Sequence, residues 1–172
     1  MGTFSVTQRG VALNEGDSPV TVVVHAELDT DQFAAHQTDP NLERWQALAE
    51  ASLRTEGITA GELDLSFITS AAMTELNETH MGKVGPTDVL AFPIDGDDEP
   101  AIDGLPVLLG DVVICPEVAH ANATDDGKAT DDEIALLIVH GVLHVLGHDH
   151  QEDDERAVMQ ARERALLEAH HR

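Results

Sequence analysis

His140-Gly141-Val142-Leu143-His144-Val145-Leu146-Gly147-His148-Asp149-His150 holds four of the chain's ten histidines. A helix turns by about 100° per residue, so residues four apart share a face. His140 and His144 therefore point the same way, one turn apart. Gly147 follows three residues later, where a helix end often needs a left-handed residue without a Cβ. That turn can bring His150, or His148, back to the same point. Two imidazoles on a helix and a third beyond a glycine turn leave one position of a tetrahedral zinc open to water. An open position is what separates catalytic from structural zinc sites.

Three readings of the stretch compete. The histidines can be ordinary polar residues at a helix C-terminus, where they are electrostatically tolerated. They can close a structural zinc, with His148 or Asp149 as fourth protein ligand. Or His140, His144 and His150 hold one catalytic Zn2+ with water in the fourth place, and the spacing around Gly147 favours this reading. His148 is then a wall of the pocket or an outward ring. Asp149 is a candidate to orient a ligand imidazole or to take a proton from bound water, whose pKa zinc can lower to about 7. The candidate catalytic set is His140, His144, His150 and Asp149. The pattern His-x3-His-x2-Gly-x2-His is also the ligand spacing of metzincin peptidases, whose second residue is the glutamate base of His-Glu-x-x-His. Gly141 stands at that position, and no residue in phase replaces the base. That counts against peptide hydrolysis, and it lets another strand or a substrate come close.

Upstream of the histidines, Ile134–Val139 is apolar all round, so the helix carrying them is buried through the middle of the domain. Thr130-Asp-Asp-Glu133 has the form of a capping box at its start. Downstream, Gln151–Ala169 forms a last helix with acidic first turns and Arg162 and Arg164 later, an order that suits the helix dipole. Met159, Leu166 and Val158 make its apolar side. Further back, Val20–His25 and Glu62–Ser70 read as strands, as do Thr87–Ile94 and a segment within Pro106–Pro116. The last two are close enough to form a long-looped antiparallel hairpin. A helix opens after Pro40 with Leu42, Trp45, Leu48, Ala49 and Leu53 on one face, and Gly57 ends it. A shorter one is capped at Thr69-Ser70 and runs out near Gly82. Pro116–Asn122 is a short helix broken at Asp125–Lys128. Asp29–Pro40 is polar and turn-rich. Asp95–Asp103 is an acidic loop; it fails the calcium-loop pattern because Pro100 and Val107 occupy the places of the required glycine and glutamate. Residues 1–18 are expected to be an irregular leader and 19–172 a single domain, which an open zinc site would make a metal-dependent hydrolase.

The chain has 172 residues, enough for one domain with a real core. It has 33 acidic and 9 basic residues, a net charge of −24. Such a surface repels membranes and polyanions at low salt. A salty cell interior, where screening is short-ranged, is one reading of this acidity. A single cysteine, Cys115, excludes an intrachain disulfide; it sits in an apolar run, reads as core and gives no support to a cysteine-type zinc site. No apolar run reaches the length of a membrane span, and Met1–Ala12 lacks a signal-peptide core, so the expected location is the cytoplasm.

The motif His-Gly-x-Leu-His-x-Leu-Gly-x-Asp-His resembles the signature of the YbeY endoribonucleases, metal-dependent enzymes of ribosomal RNA maturation. Two further blocks carry the resemblance: Leu76-Asn77 with Pro86-Thr87-Asp88-Val89-Leu90 and Phe92-Pro93, and Leu109-Gly110-Asp111-Val112-Val113-Ile114. The resemblance covers residues 20–168. It implies an α+β fold, with one mixed four-stranded sheet packed with helices and a metzincin-like zinc helix at the core. It implies zinc on His140, His144 and His150. It also implies single-strand RNA cleavage in 16S rRNA 3′-end maturation and ribosome quality control. The partners implied are ribosomal RNA, and small-subunit proteins or an assembly GTPase, with no membrane and no DNA. The chain departs from the family at three places. Met81 stands where the family carries an arginine suited to phosphate, Ala91 replaces a serine and His148 an aromatic residue. His80 and Lys83 are candidate substrate contacts in place of that arginine. An alternative is a ribosome-assembly factor with a mainly structural metal; a weaker one is a metzincin-like peptidase.

Overall fold

The computed structural model describes residues 20–94 and 105–172; the expected leader and the acidic loop Asp95–Asp103 lie outside the described residues. In chain order the elements are β1 (Val20–Ala26), α1 (Thr30–Ala35), α2 (Leu42–Thr55), β2 (Gly61–Phe67), α3 (Ser70–Met81), β3 (Val89–Pro93), β4 (Leu108–Ile114), α4 (Pro116–Asp126), α5 (Thr130–Val145) and α6 (Asp153–His170). The strands form one mixed sheet in the order β1-β2-β4-β3. β1 and β4 both run parallel to β2, and β3 pairs antiparallel with β4, as expected of a long-looped hairpin. The architecture is the expected α+β one.

Alternation along the strands divides the side chains between two faces. Val22, Val24, Leu63, Leu65, Phe67, Val112 and Ile114 point to one face and are almost wholly buried. They form a single cluster with the apolar sides of α2, α5 and α6, including Trp45, Leu53, Ile138, Leu143 and Met159. The other face carries a smaller cluster of Ile68, Leu90, Val113 and Cys115 covered by Met73 of α3. Cys115 is buried and free, as its apolar setting implies.

α5 is the centre of the packing. It touches α2, α4, α6, β3 and β4. Its residues from Ile134 to Val145 are predominantly Ile, Leu, Val and Ala, which a helix can bury on nearly every side only if every neighbour is also apolar. Asp131, Asp132 and Glu133 in its first turn favour the positive end of the helix dipole. The close approach rests on Gly141. A Cβ placed there would lie 2.5 Å from Val112 Cγ1, so β4 occupies the space a side chain would need.

Four local expectations are corrected. Asp29–Pro40 is not all turn: Asp29 accepts the Gln32 N–H at 2.8 Å while Gln32 returns the contact to the Asp29 N–H at 3.0 Å, and this reciprocal cap starts α1. Thr130 is not the cap of α5. Ala129 holds that position, Thr130 Oγ1 bonds His120 Nδ1 at 2.8 Å, and Glu133 pairs with Lys128. The capping box instead opens α6, between Glu152 and Glu155. α4 continues to Asp126 because Gly127, at φ +68°, ends it in the left-handed region. On α6, Val158 is exposed, and the inward stripe is Met159, Glu163, Leu166 and Leu167.

On the face away from α5, Asp64 and Asp111 are cross-strand partners, and His25 Nε2 lies 3.4 Å from Asp64 Oδ1. Burial first, and then the Asp64 carboxylate, hold the Asp111 carboxyl above its ordinary value. Such an acid keeps its proton better folded than unfolded. Its favourable contribution is present below the ordinary carboxylate range and lost as pH rises through the raised folded value.

Two outcomes follow for stability in urea titrations. Gly141→Ala should cost about 1–3 kcal/mol by overpacking, and adding Val112→Ala should recover part of it; an unchanged midpoint for the single variant would contradict the packing described. Asp111→Asn should be more stable than the parent at pH 7, with the gap closing as pH falls towards about 4; a gap that ignores pH would count against the carboxylate pair.

Candidate metal centre

The last two turns of α5 and the five residues after it build the centre. α5 is capped at Leu146, after which the Gly147 N–H donates to the His144 carbonyl at 3.0 Å and the His148 N–H to the Leu143 carbonyl at 3.0 Å. This is the two-bond Schellman ending, and it requires the left-handed residue, Gly147 at φ +93°. A side chain at Gly147 would meet no neighbour, so the backbone angle alone selects glycine. The turn reverses the chain and delivers His150. Asp149 Oδ1 accepts the His150 N–H at 2.7 Å and fixes the end of that turn.

The three predicted ligands meet. Ring centroids lie 4.5 Å apart for His140 and His144, 5.0 Å for His144 and His150, and 5.6 Å for His140 and His150. One nitrogen from each comes within 4.8 Å of the others, a group that could hold one metal ion. His140 and His144 are partly buried and His150 is exposed, so the cluster opens to solvent on one side. Burial, followed by the charges that His140 and His150 would carry, pushes the His144 imidazole below its ordinary value. The neutral imidazole it favours is the form that binds a metal.

Behind the cluster stands a residue that the histidine spacing did not disclose. Glu163 of α6 is nearly buried, and its Oε1 lies 2.5 Å from His140 Nδ1. A carboxylate can only accept, so Nδ1 carries the hydrogen and Nε2 is left as the ligand atom. The signal was present in the last helix: Glu163 lies four residues after Met159 and three before Leu166, inside the apolar stripe. A carboxylate on that stripe needs a partner.

The other candidates have neighbours of their own. His148 Nε2 faces Glu56 Oε2 at 3.7 Å, and Glu56 also receives Arg162, which ties the turn to the end of α2. His80 packs its ring edge-on against Phe92 at 5.3 Å, and Lys83 is exposed just beyond α3. A cleft of about 220 Å³ borders the cluster, lined by His140, His150, Arg156, Met159, Gln160 and Glu163. Neither His80 nor Lys83 lines it. A second cleft lies across the turn, lined by Gly147, His148, Asp149, Asp154, Glu155 and Val158. Among the described residues, no helix is long and apolar enough to cross a membrane.

Comparison with known proteins gives the chain its relatives. The family model described as Endoribonuclease YbeY matches residues 27–171. The chain is 39% identical over 154 residues to the Endoribonuclease YbeY of Paramagnetospirillum magneticum, covering 87% of this chain and 94% of that protein. It is 46% identical over 129 residues to the Endoribonuclease YbeY of Salinispora tropica, covering 70% and 82%. Among solved structures it is similar to the solution structure of TM1509 from Thermotoga maritima, with a TM-score of 0.52 and 21% identity over 87% of each chain. That likeness is one of fold.

Proposed function

Since the chain belongs to the YbeY endoribonuclease family, we propose that it is a zinc-dependent hydrolase that cuts single-stranded RNA. Its setting would be the cytoplasmic maturation of the 3′ end of small-subunit ribosomal RNA and ribosome quality control. The observation that carries the reading is the convergence of His140, His144 and His150 at the solvent-facing end of a buried helix. Three protein nitrogens with one side open fit a catalytic zinc rather than a closed structural one. A zinc ion held there supplies Lewis acidity towards a phosphoryl oxygen and lowers the pKa of water.

The chain's own residues have distinct tasks in this reading. Glu163 holds the His140 ring by its outer nitrogen, which fixes both tautomer and orientation. The Schellman turn and Asp149 hold His150 through the main chain, so Asp149 positions a ligand rather than touching substrate. Burial of His144 keeps a ligand nitrogen unprotonated near neutral pH. Unstacked single strands fit a shallow open cleft better than a duplex does.

The peptidase alternative is disfavoured by Gly141. A side chain there would run into Val112, so the position of the glutamate base in His-Glu-x-x-His enzymes is closed. A mainly structural metal in a ribosome-assembly factor is disfavoured by the exposure of His150. The net charge of −24 fits a division of labour, in which small-subunit proteins or an assembly GTPase present the RNA.

The test is cleavage of a single-stranded ribosomal RNA fragment and of casein, with bound metal measured alongside. RNA cleavage should disappear on chelation and in His144→Ala, and return when zinc is restored to the parent protein. RNA cleavage undiminished in a folded His144→Ala would overturn the reading, and casein cleavage would revive the peptidase. In zinc titrations against a competing chelator, Glu163→Ala should bind about 10–100-fold more weakly, with Glu163→Gln between it and the parent. Equal affinities would remove Glu163 from the metal's support.

A further inference from the structure

A polyanionic substrate needs a cation at the reacting phosphate, and this chain has only 9 basic residues against 33 acidic ones. Four of the eight described lysines and arginines are already committed to carboxylates. Arg44 holds Asp39 and Asp131, Arg54 holds Glu50, Lys128 holds Glu133 and Asp126, and Arg162 holds Glu56. Arg156 is different. Among the described residues its guanidinium has one partner, the His150 carbonyl at 3.4 Å. Among the described residues no carboxylate forms an ion pair with it: Glu152 and Glu155 accept each other's main-chain N–H in the capping box of α6, and Glu163 is bonded to His140. Arg156 also lines the cleft beside His140 and His150, and it is the one cation among the residues that do.

We propose that Arg156 is the phosphate-binding residue of the cleft, donating to a non-bridging oxygen of the RNA phosphodiester that lies against the three histidines. The inference rests on the nuclease reading and names the side from which its substrate is held. Residues 156, 159, 160 and 163 are spaced i, i+3, i+4 and i+7, so one face of α6 supplies the whole wall. Met159 is its buried floor, and Glu163 its inner end on His140. Arg156 and Gln160 are exposed at the mouth. Bound by one long hydrogen bond, the guanidinium keeps most of its five donors for a ligand, in the planar fork that suits phosphate oxygens. The cleft across the turn has the opposite character. Asp149, Asp154 and Glu155 line it and no cation does, so a nucleic-acid strand is repelled there and admitted at Arg156.

The experiment uses the zinc-loaded protein and a labelled single-stranded RNA at 4 °C, with binding followed by fluorescence anisotropy from low salt to about 0.2 M. Arg156→Gln should weaken binding roughly tenfold or more at low salt. It should also flatten the plot of log K against log salt by about 0.7, the release expected for one phosphate contact on a single strand. Arg156→Lys should retain the slope and recover part of the affinity, since a point charge lacks the fork. Zinc content should be the same in all variants. Arg164→Gln, on an exposed position of the same helix, reports the effect of losing any one positive charge and should change binding little. An unchanged Arg156→Gln, or an equal loss in Arg164→Gln, overturns the assignment while leaving the nuclease reading in place. A parent protein that neither binds nor cuts RNA overturns the nuclease reading itself and this assignment with it.

Discussion

The contact between Gly141 and Val112 is the constraint on which the rest of this structure depends. It sets how near α5 lies to β4, because no side chain separates helix backbone from strand at that point. α2, α4 and α6 all pack on α5, and α6 runs beside it from His140, which Glu163 meets, to Asp132, which His171 meets at 2.8 Å. His140 precedes the glycine by one residue and His144 follows by three, so the imidazoles project from a rigid, buried support. A site built on such an element holds its geometry better than one built on loops. The same glycine leaves no room for a side chain at the position that the glutamate holds in His-Glu-x-x-His sequences.

How much of this was legible beforehand depended on whether the signal was local. The four strands, α2, α3, α5 and the glycine turn each announce themselves within a dozen residues, through alternation, a 3.6-residue period or a capping residue. The histidine cluster was legible because two of its members share a helix face and the third follows a helix-ending glycine. The Glu163 contact was not, since it arises only when α6 folds back beside α5. Thr130–Glu133 shows the converse error. The residue types of a capping box were present, but Thr130 was drawn to His120 and Glu133 to Lys128, and tertiary partners outcompeted the local motif. α1 was missed because its six residues carry only one buried side chain, Phe33, and too little periodicity to register.

Charge is distributed with the same economy. Arginines bridge elements that the apolar core leaves open at the rim: Arg44 spans to Asp131 at the start of α5, and Arg162 to Glu56 at the end of α2. Exposed ion pairs of this kind add little each in ordinary salt. Their consequence here is that four of the eight described lysines and arginines are already paired with carboxylates. The carboxylate pair Asp64–Asp111 on the outer sheet face is a place where this acidity works against the fold, and burial of Asp111 intensifies it.

The ending of α5 has a dynamic implication. The main-chain oxygen of His144 receives the Gly147 amide while its ring takes part in the histidine cluster, so one residue belongs both to the turn and to the cluster. Fraying of the helix end and loss of a ring from the cluster are therefore the same local opening. An ion held by the three rings would clamp that opening shut, lengthening the lifetimes of the Gly147 and His148 amide protons against exchange with solvent. Occupancy of the cluster would in this way be written into the motion of a backbone that the ion never touches.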